Sequence, residues 1–338
     1  MRFFASDNAA GAHPEVLDAL VRANTGHAVG YGHDPWTERA TARLREAFGA
    51  DASVTFVFGG TGANVVGLSS LVRPFDAILC ARSSHLWRDE CGGPEHVIGC
   101  KLEPIETPDG KLRPEQIVPF LEDRKLVHRA RPRVVAISQP TEWGTVYRPE
   151  ELQAISSTCR AHDLFLYVDG ARLANAAASL GASLADAAAG ADILSFGGTK
   201  NGLLFGEALI AFPSAASQEI PYHQKQCLQL PSKMRFVAAQ FEALLEGELW
   251  RRSAAHANAQ AQRLAEGLSP LPGAEIVQPV ETNVVFARLP LERIAPLQER
   301  FPFAVWEPSQ SIVRIMTSFD TTGEDVEAFV CKAEEVLQ

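Results

Sequence analysis

The chain has 338 residues, of which 46% are hydrophobic and 21% charged, and its formal net charge is -10. This balance is typical of a packed globular enzyme and argues against a disordered or fibrous chain. Because an acidic protein repels phosphate backbones, and because no segment collects Lys and Arg, nucleic acid is not expected as a partner.

Cysteine spacing and hydropathy predict the compartment. The six cysteines are scattered without a CxxC pair, which indicates reduced thiols in a chain of this size. No stretch approaches the roughly 20 apolar residues of a membrane span, and residues 1–10 lack a signal-sequence pattern. We therefore predict a cytoplasmic protein without a membrane partner.

An N-terminal arm over residues 1–25, with a helix from Pro14 to Ala23, precedes a long alternation of short apolar runs and helical patterns. From about residue 36 to residue 212 this rhythm predicts an α/β fold, with a mostly parallel sheet and helices on both faces. The predicted strands are Ser53–Phe58, Ala77–Cys80, His96–Gly99, Arg133–Ser138, Leu164–Val168, Asp192–Phe196 and Glu207–Phe212. The predicted helices include Trp36–Phe48, Gly62–Val72, Pro149–Ala161 and Arg172–Ser179.

The last third of the chain has a different pattern. Residues Ser232–Glu266 are rich in Ala, Leu and Glu, which predicts one long helix. Strands are predicted beyond it at Ala274–Val277, Asn283–Ala287, Phe303–Trp306 and Ile312–Met316, with helices at Leu291–Arg300 and Glu324–Leu337. We predict a large domain over residues 26–245 and a smaller α+β domain over residues 246–338.

A lysine and an aspartate follow two strands of the predicted sheet. One strand ends in Asp169-Gly170-Ala171-Arg172, and the next ends in a small-residue loop that contains Lys200. Alone, Lys200 is typical of a solvated surface lysine and Asp169 of a helix cap. Parallel strands present such residues at one edge of a sheet, where ligands bind. Together they are the pair that pyridoxal phosphate needs: an amine that bonds to its aldehyde and a carboxylate that keeps its ring nitrogen protonated.

Two further features fit the same sheet edge. The glycine-rich turn Phe58–Asn64 joins a strand to a helix and suits a phosphate, although a tight turn without a ligand would explain it as often. It has neither GxGxxG spacing nor the GKS or GKT of a P-loop. His85 follows the next strand and could cover a planar ring and act as an acid or base, or it could be structural.

These motifs together resemble the threonine aldolases, within the aspartate-aminotransferase-like fold. The resemblance runs nearly end to end, and it is strongest to the low-specificity L-threonine aldolase and phenylserine aldolase branch. It implies pyridoxal 5'-phosphate as the cofactor and fold type I. The residues that carry it are Ser6-Asp7-Asn8, Tyr31-Gly32-His33-Asp34, Gly60–Asn64, His85, Asp89–Gly92, Pro140–Tyr147, Val168–Arg172, Gly197–Gly202 and Arg314-Ile315-Met316.

The resemblance also implies roles around the cofactor. Lys200 would bind it covalently and Asp169 would face its pyridine nitrogen. His85 would stack on its ring, and Gly60 with Thr61 would contact its phosphate.

The substrate side of the site follows from the same resemblance. Arg172 would contact the cofactor's phenolic oxygen and the substrate carboxylate, and Ser6 and Arg314 would complete the carboxylate site. A guanidinium suits that group, whereas Arg314 by itself is typical of a surface strand. Tyr31 and Lys225 would reach a neighbouring subunit's site.

Two positions limit how far these roles transfer. His33 stands where many members carry an acidic residue, so contacts near the substrate side chain are expected to differ in this chain. Which of Lys225, Lys233 and Arg235 contacts the phosphate stays open.

The expected reaction is a reversible retro-aldol cleavage of L-threonine, L-allo-threonine and related β-hydroxy-α-amino acids to glycine and an aldehyde, catalysed by Lys200, His85 and Asp169. A homodimer or homotetramer is expected. Cleavage restricted to phenylserine, β-elimination and racemisation remain alternatives on the same fold, and a nucleotide-binding module without catalysis is a distant one. A metal-dependent aldolase is disfavoured because the histidines form no HxH or HxxxH cluster.

Overall fold

The computed structural model describes residues 2–122, 124–213 and 218–338. In this part of the chain the strands are β1 Ser53–Val57, β2 Asp76–Ala81, β3 Lys101–Ile105, β4 Arg131–Ser138, β5 Phe165–Gly170, β6 Ile193–Gly197, β7 Glu207–Ala211, β8 Glu275–Ile276, β9 Val284–Arg288, β10 Ala304–Glu307 and β11 Ile312–Met316. The helices are α1 Pro14–Ala23, α2 Pro35–Phe48, α3 Gly60–Ser69, α4 His85–Arg88, α5 Gly93–Ile98, α6 Pro114–Ile117, α7 Pro149–Ala161, α8 Leu173–Leu180, α9 Ile220–Gln226, α10 Arg235–Leu245, α11 Leu249–Leu268, α12 Leu291–Gln298 and α13 Gly323–Leu337.

The larger sheet has the strand order β1-β7-β6-β5-β4-β2-β3 within the described residues. The pairs from β3 through β2, β4 and β5 to β6 are parallel, whereas β7 is antiparallel to both β6 and β1. The predicted α/β class with a mostly parallel sheet is therefore confirmed.

Helices cover both faces of this sheet, as predicted. Along β5, Leu166 and Val168 point into the core under α2, α7, α8 and α10, while Tyr167 points into the core under α3. A strand buried on both faces is largely apolar, which explains the uninterrupted hydrophobic run at Leu164–Val168.

Local caps explain where several predicted helices begin. The Asp34 carboxylate accepts from the Thr37 backbone N–H at 2.9 Å, and Pro35 follows at the first helical position of α2. In α7 the Glu151 side chain accepts from the Arg148 N–H at 2.6 Å, next to Pro149. These signals are local in sequence, so the predicted starts agree with the structure to within a residue or two.

The predicted strand at His96–Gly99 is wrong. Residues Gly93–Ile98 form helix α5, and the strand follows at Lys101–Ile105. Glycines with positive φ, Gly92 at 67° and Gly99 at 79°, enclose one short helix. Strand β3 lies at the sheet edge, where Pro104 can be accommodated.

The single long helix predicted at Ser232–Glu266 is also wrong. The structure has two helices, α10 and α11, separated by a turn at Glu246–Glu248. Gly247 and Glu248 have φ of 56° and 53°, which no α-helix contains. Composition predicted the helical content, but one glycine among good helix formers did not reveal the break.

The smaller sheet, ordered β10-β11-β9-β8, packs one face on α11, α12 and α13. Phe4 of the N-terminal arm is fully buried in this core, with its ring edge-on to Phe329 at 5.0 Å. The Met316 N–H donates to the Phe4 carbonyl at 2.8 Å, and the His13 N–H donates to the Gly202 carbonyl at 2.8 Å. The arm therefore joins the small sheet to the loop that contains Lys200.

No helix in the described ranges is both long and apolar enough to cross a membrane. The domain boundaries predicted at residues 25 and 245 stay predictions.

Candidate active site

Strands β5 and β6 end side by side and present their loops at the same edge of the sheet. Asp169 pairs with Ser195 in the parallel register, so Lys200 follows at the end of the neighbouring strand. A Cβ added to Gly197 would lie 2.3 Å from the Ala171 carbonyl oxygen, so only glycine permits this approach of the two loops. The predicted lysine–aspartate pair thus faces one cavity of about 320 Å³ and its inner extension, which together contain Lys200 and Asp169.

Asp169 is held by a buried polar network. Its carboxylate accepts from the Asn64 side-chain amide at 3.0 Å and from the Ala171 backbone N–H at 3.0 Å. The same Asn64 amide nitrogen donates to Glu90 at 2.6 Å, and Tyr167 donates its hydroxyl to the Asn64 carbonyl oxygen at 2.8 Å. Every rotamer in this group is therefore fixed before any ligand arrives.

His85 belongs to the same network. Its Nδ1 lies 2.8 Å from the Glu90 Oε1, and its backbone N–H donates to Glu142 at 2.8 Å. The Glu90 side chain is 0% exposed, while that of His85 is 38% exposed and lines the cavity. The hydrogen bond that His85 donates to the Glu90 carboxylate raises the pKa of His85 against the opposing effect of burial.

Lys200 is partly buried, and this burial together with the nearby Arg172 lowers the pKa of its amine. Arg172 itself forms a two-bond ion pair with Asp7, with Nε and Nη2 at 2.6 and 2.9 Å from the carboxylate. Asn283 donates to the same carboxylate at 3.1 Å. Arg172 therefore lines the cavity with one edge of its guanidinium already occupied.

Arg314 lines the same cavity as Arg172. Its guanidinium stacks on the Trp306 ring at 4.9 Å, and Arg88 stacks on the same ring at 4.2 Å. One N–H of Arg314 donates to the Ala5 carbonyl at 3.3 Å, whereas the buried Nε has no partner among the described residues. Burial lowers the pKa of Arg314 to about 10, so the group stays cationic at neutral pH with donors free for an anion.

The glycine-rich turn presents an open helix N-terminus. Gly59 is the N-cap of α3 and offers no side chain to the first N–H groups of the helix. A Cβ built on Gly59 or Gly60 would meet no atom of the described chain within 4 Å, so there is space over the turn. Free N–H groups, positive helix-dipole charge and space are what a phosphate requires. With an amine and a carboxylate on the same sheet edge, the residues present fit pyridoxal phosphate.

Ser6 lines the cavity as predicted, and its hydroxyl accepts from the Asn8 N–H at 3.2 Å. Other predicted site residues lie outside the cavity. Lys225 lies over the exposed Tyr31 ring at 5.4 Å, and neither residue lines the cavity. Arg235 stacks on Trp36 and Phe236, and Lys233 is exposed. None of these three cations lines the cavity or its inner extension.

Several residues that organise the site have no role predicted from the sequence. Asp7, Asn64 and Glu90 stood inside quoted motifs, but their function depends on partners far away in sequence. Glu142 also lay inside a quoted segment, Pro140–Tyr147, whereas Glu207 carried no local signal. In the structure Glu142 lines the cavity and Glu207 is a buried carboxyl at the start of β7. Unpaired acidic residues in otherwise apolar or glycine-rich runs are the one hint that the sequence offers.

The fold and this set of groups define a pyridoxal-phosphate-dependent enzyme of fold type I. Comparison with known proteins narrows the class. The Beta-eliminating lyase family model matches residues 4–291. Low specificity L-threonine aldolases from Pseudomonas sp. and Pseudomonas aeruginosa are 44% and 43% identical to the chain, covering 99% and 96% of it and 97% and 94% of their own lengths.

A solved structure of Leishmania major threonine aldolase superposes with a TM-score of 0.95 at 34% identity, with both chains covered completely. The chain belongs to the β-eliminating lyase family and, within it, to the low-specificity L-threonine aldolases. The predicted family, fold type and cofactor are confirmed.

Proposed function

We propose that this protein is an aldehyde-lyase that cleaves L-threonine, L-allo-threonine and related β-hydroxy-α-amino acids to glycine and an aldehyde. Relatives of that activity cover nearly the whole chain at 43% and 44% identity. The observation that carries the proposal is the convergence of Lys200, His85 and Arg314 on one cavity whose inner end reaches Asp169.

Each of these residues has a separate task. Lys200 would supply the amine that bonds to the cofactor, and the Asp169 carboxylate would keep its pyridine nitrogen protonated. Gly60 and Thr61 at the start of α3 would hold its phosphate. When bound, pyridoxal phosphate supplies an acceptor for the electron pair released as the substrate's Cα–Cβ bond breaks.

His85 handles the proton of the substrate's β-hydroxyl. With Nδ1 engaged by the Glu90 carboxylate, the neutral ring carries its proton on Nδ1 and leaves the Nε2 lone pair free. Nε2 then accepts the hydroxyl proton directly or through one water. Because Glu90 raises the pKa of His85, the basic form becomes available as pH rises through that raised value.

The amino acid's carboxylate is bound chiefly by Arg314. Its Nε–H lacks a protein partner, whereas Arg172 already uses Nε and Nη2 on Asp7. Arg172 therefore contributes its remaining N–H groups, both to the carboxylate and to the cofactor's phenolic oxygen. Ser6 lies on the arm segment beside them.

The aldol reaction is favoured over the alternatives on the same fold. A relative named Alanine racemase TOXG, from Cochliobolus carbonum, is 27% identical over 81% of this chain, well below the aldolases. A nucleotide-binding module without catalysis would give no role to Lys200 in the cavity or to the hydrogen-bond network around Asp169.

The test is a substrate panel with the cofactor-loaded protein. L-threonine, L-allo-threonine and L-phenylserine are supplied separately, and glycine and aldehyde are quantified for each. Aldehyde and glycine in equal amounts from both threonine isomers is the expected result. Aldehyde from phenylserine alone would restrict the activity to that substrate, and products without glycine would replace aldol cleavage by another reaction.

We also propose a cytoplasmic homo-oligomer, a dimer or a homotetramer, in which Tyr31 and Lys225 reach a neighbouring subunit's site. Both residues are exposed and lie outside the cavity of their own chain, which supports this assignment. The six free cysteines suit a reducing compartment. Light scattering on the purified protein measures the oligomeric state, and a monomer that retains full activity would contradict the shared site.

The proposed domains remain an arm over residues 1–25, a large domain over 26–245 and a small domain over 246–338. The positions of the two sheets, β1 to β7 and β8 to β11, support this division.

A further inference from the structure

Glu207 is a buried carboxyl next to residues Gly197–Gly202, called here the lysine loop because they contain Lys200. None of the roles proposed above involves Glu207. It is the first residue of β7, opposite Gly197 of β6 on one side and Val57 of β1 on the other. Because β7 runs antiparallel to these strands, its beginning lies at the edge where they end. Glu207 therefore lies between the strand that leads to Lys200 and the strand that leads to the glycine-rich turn.

The Glu207 side chain fastens the lysine loop. Its Oε2 accepts from the Gly198 backbone N–H at 2.7 Å, two residues before Lys200. A Cβ added to Gly198 would lie 2.2 Å from a Leu203 methyl carbon and 2.8 Å from the Gly206 carbonyl oxygen, so the loop is tightly packed at this point. Glu207 is 6% exposed, and within the described residues no Lys or Arg forms an ion pair with it.

A buried carboxyl without an ion-pair partner is costly, so its charge calls for an explanation. Burial raises the pKa of Glu207 to about 7, while the positive charge of Lys200 acts in the opposite direction. Asp169 is the other charged group that acts on Glu207, and its negative charge adds to the rise. Glu207 in turn raises the pKa of Lys200, against burial and Arg172.

The remaining charged groups near the amine are Asp7 and Asp169, both of which favour the ammonium form of Lys200. Each of these is committed elsewhere: Asp7 to Arg172 and Asp169 to Asn64 and Ala171. The negative charge of Asp169 also raises the pKa of His85 and of Glu142. Among the carboxylates around the amine, Glu207 is the one whose hydrogen bond is made to the lysine loop itself.

We propose that Glu207 is a positioning residue for Lys200, holding the lysine loop through the Gly198 amide and stabilising the ammonium form of the amine whenever it is not bonded to the cofactor. This inference rests on the proposed role of Lys200. Its consequence is that the protonation of Lys200 and that of Glu207 are coupled, because each charge favours the other.

The test measures the Lys200 amine directly in the cofactor-free protein, without turnover. Lysine labelled with ¹³C at Cε is incorporated, the Lys200 resonance is assigned by its loss in Lys200→Arg, and its shift is followed with pH. In the wild type we expect a secondary step near pH 7 that reports Glu207. In Glu207→Gln this step disappears and the main titration of Lys200 moves to lower pH.

Asp192→Asn is the matched control. The Asp192 carboxylate accepts from the Leu166 N–H at 2.7 Å, the same kind of bond, but at the opposite end of β6. This variant likewise removes the negative charge from a side chain that accepts from a backbone amide, and it should leave the Lys200 titration unchanged. A shift in Asp192→Asn equal to that in Glu207→Gln would show a general structural effect and overturn the proposal.

If Glu207→Gln does not fold, the wild type alone still tests the coupling between Lys200 and Glu207. Absence of the step near pH 7 in its Lys200 titration would overturn that coupling. Failure of this inference is distinguishable from failure of the proposed function. If the enzyme cleaves threonine but the Lys200 titration is independent of Glu207, only the role of Glu207 is wrong. The role of Lys200 itself is tested separately, by steady-state turnover of Lys200→Ala.

Discussion

Replacing Arg314 with lysine tests whether this guanidinium binds the substrate carboxylate. Arg314 stacks on Trp306 at 4.9 Å and has a buried Nε–H without a partner among the described residues. Lysine keeps a positive charge but cannot make two parallel hydrogen bonds to a carboxylate. The burial that lowers the pKa of Arg314 to about 10 would also disfavour the charge of a lysine in its place.

The expected loss follows from one charge-assisted hydrogen bond. Such a bond contributes about 1.5–3 kcal/mol. Since about 1.4 kcal/mol corresponds to a tenfold change in rate, kcat/KM for L-threonine should fall about 10-fold to 150-fold. Most of the loss should be an increase in KM, because the carboxylate is bound in the ground state as well as in the transition state.

The assay is steady-state release of acetaldehyde at saturating pyridoxal phosphate, with cofactor loading checked by visible absorbance. Arg288→Lys is the matched control, because Arg288 lies on β9 beside β11, pairs with Glu275 and lies outside the cavity. It should retain wild-type kinetics. A kcat/KM for Arg314→Lys within about threefold of the wild type would refute the assignment of the carboxylate to Arg314.

Three further substitutions test the proton and cofactor chemistry. Lys200→Ala should abolish multiple turnover, and undiminished steady-state activity would rule out its proposed role. His85→Asn should lower kcat by about 10²- to 10⁴-fold and remove the acid limb of the pH profile; full turnover with an unchanged profile would contradict it. Glu90→Gln should move that acid limb to lower pH, because the hydrogen bond that raises the pKa of His85 is weakened, and an unmoved limb would count against the pair.

Much of the fold could be read from local patterns because the signals are local. Asp34-Pro35 and Arg148-Pro149 mark helix starts by capping and proline geometry, and the apolar run at Leu164–Val168 predicts a strand buried on both faces. Where the local signal was ambiguous, the prediction failed. The short helix at Gly93–Ile98 reads as a strand, and the break at Gly247 is hidden among good helix formers.

From the sequence by itself, Lys200 and Asp169 could be predicted as the residues that bind the cofactor, because each lies at the end of a strand and parallel strands share an edge. The sequence could not determine which site side chains form ion pairs or hydrogen bonds with one another. Only the tertiary structure pairs Arg172 with Asp7, 165 residues away. Only the tertiary structure shows that the Arg314 Nε–H has no partner among the described residues. The contact of Glu90 with His85 and that of Glu207 with the Gly198 amide also appear only in the tertiary structure. A side chain's pKa and hydrogen-bond partners depend on burial and on distant neighbours, which are properties of the folded chain.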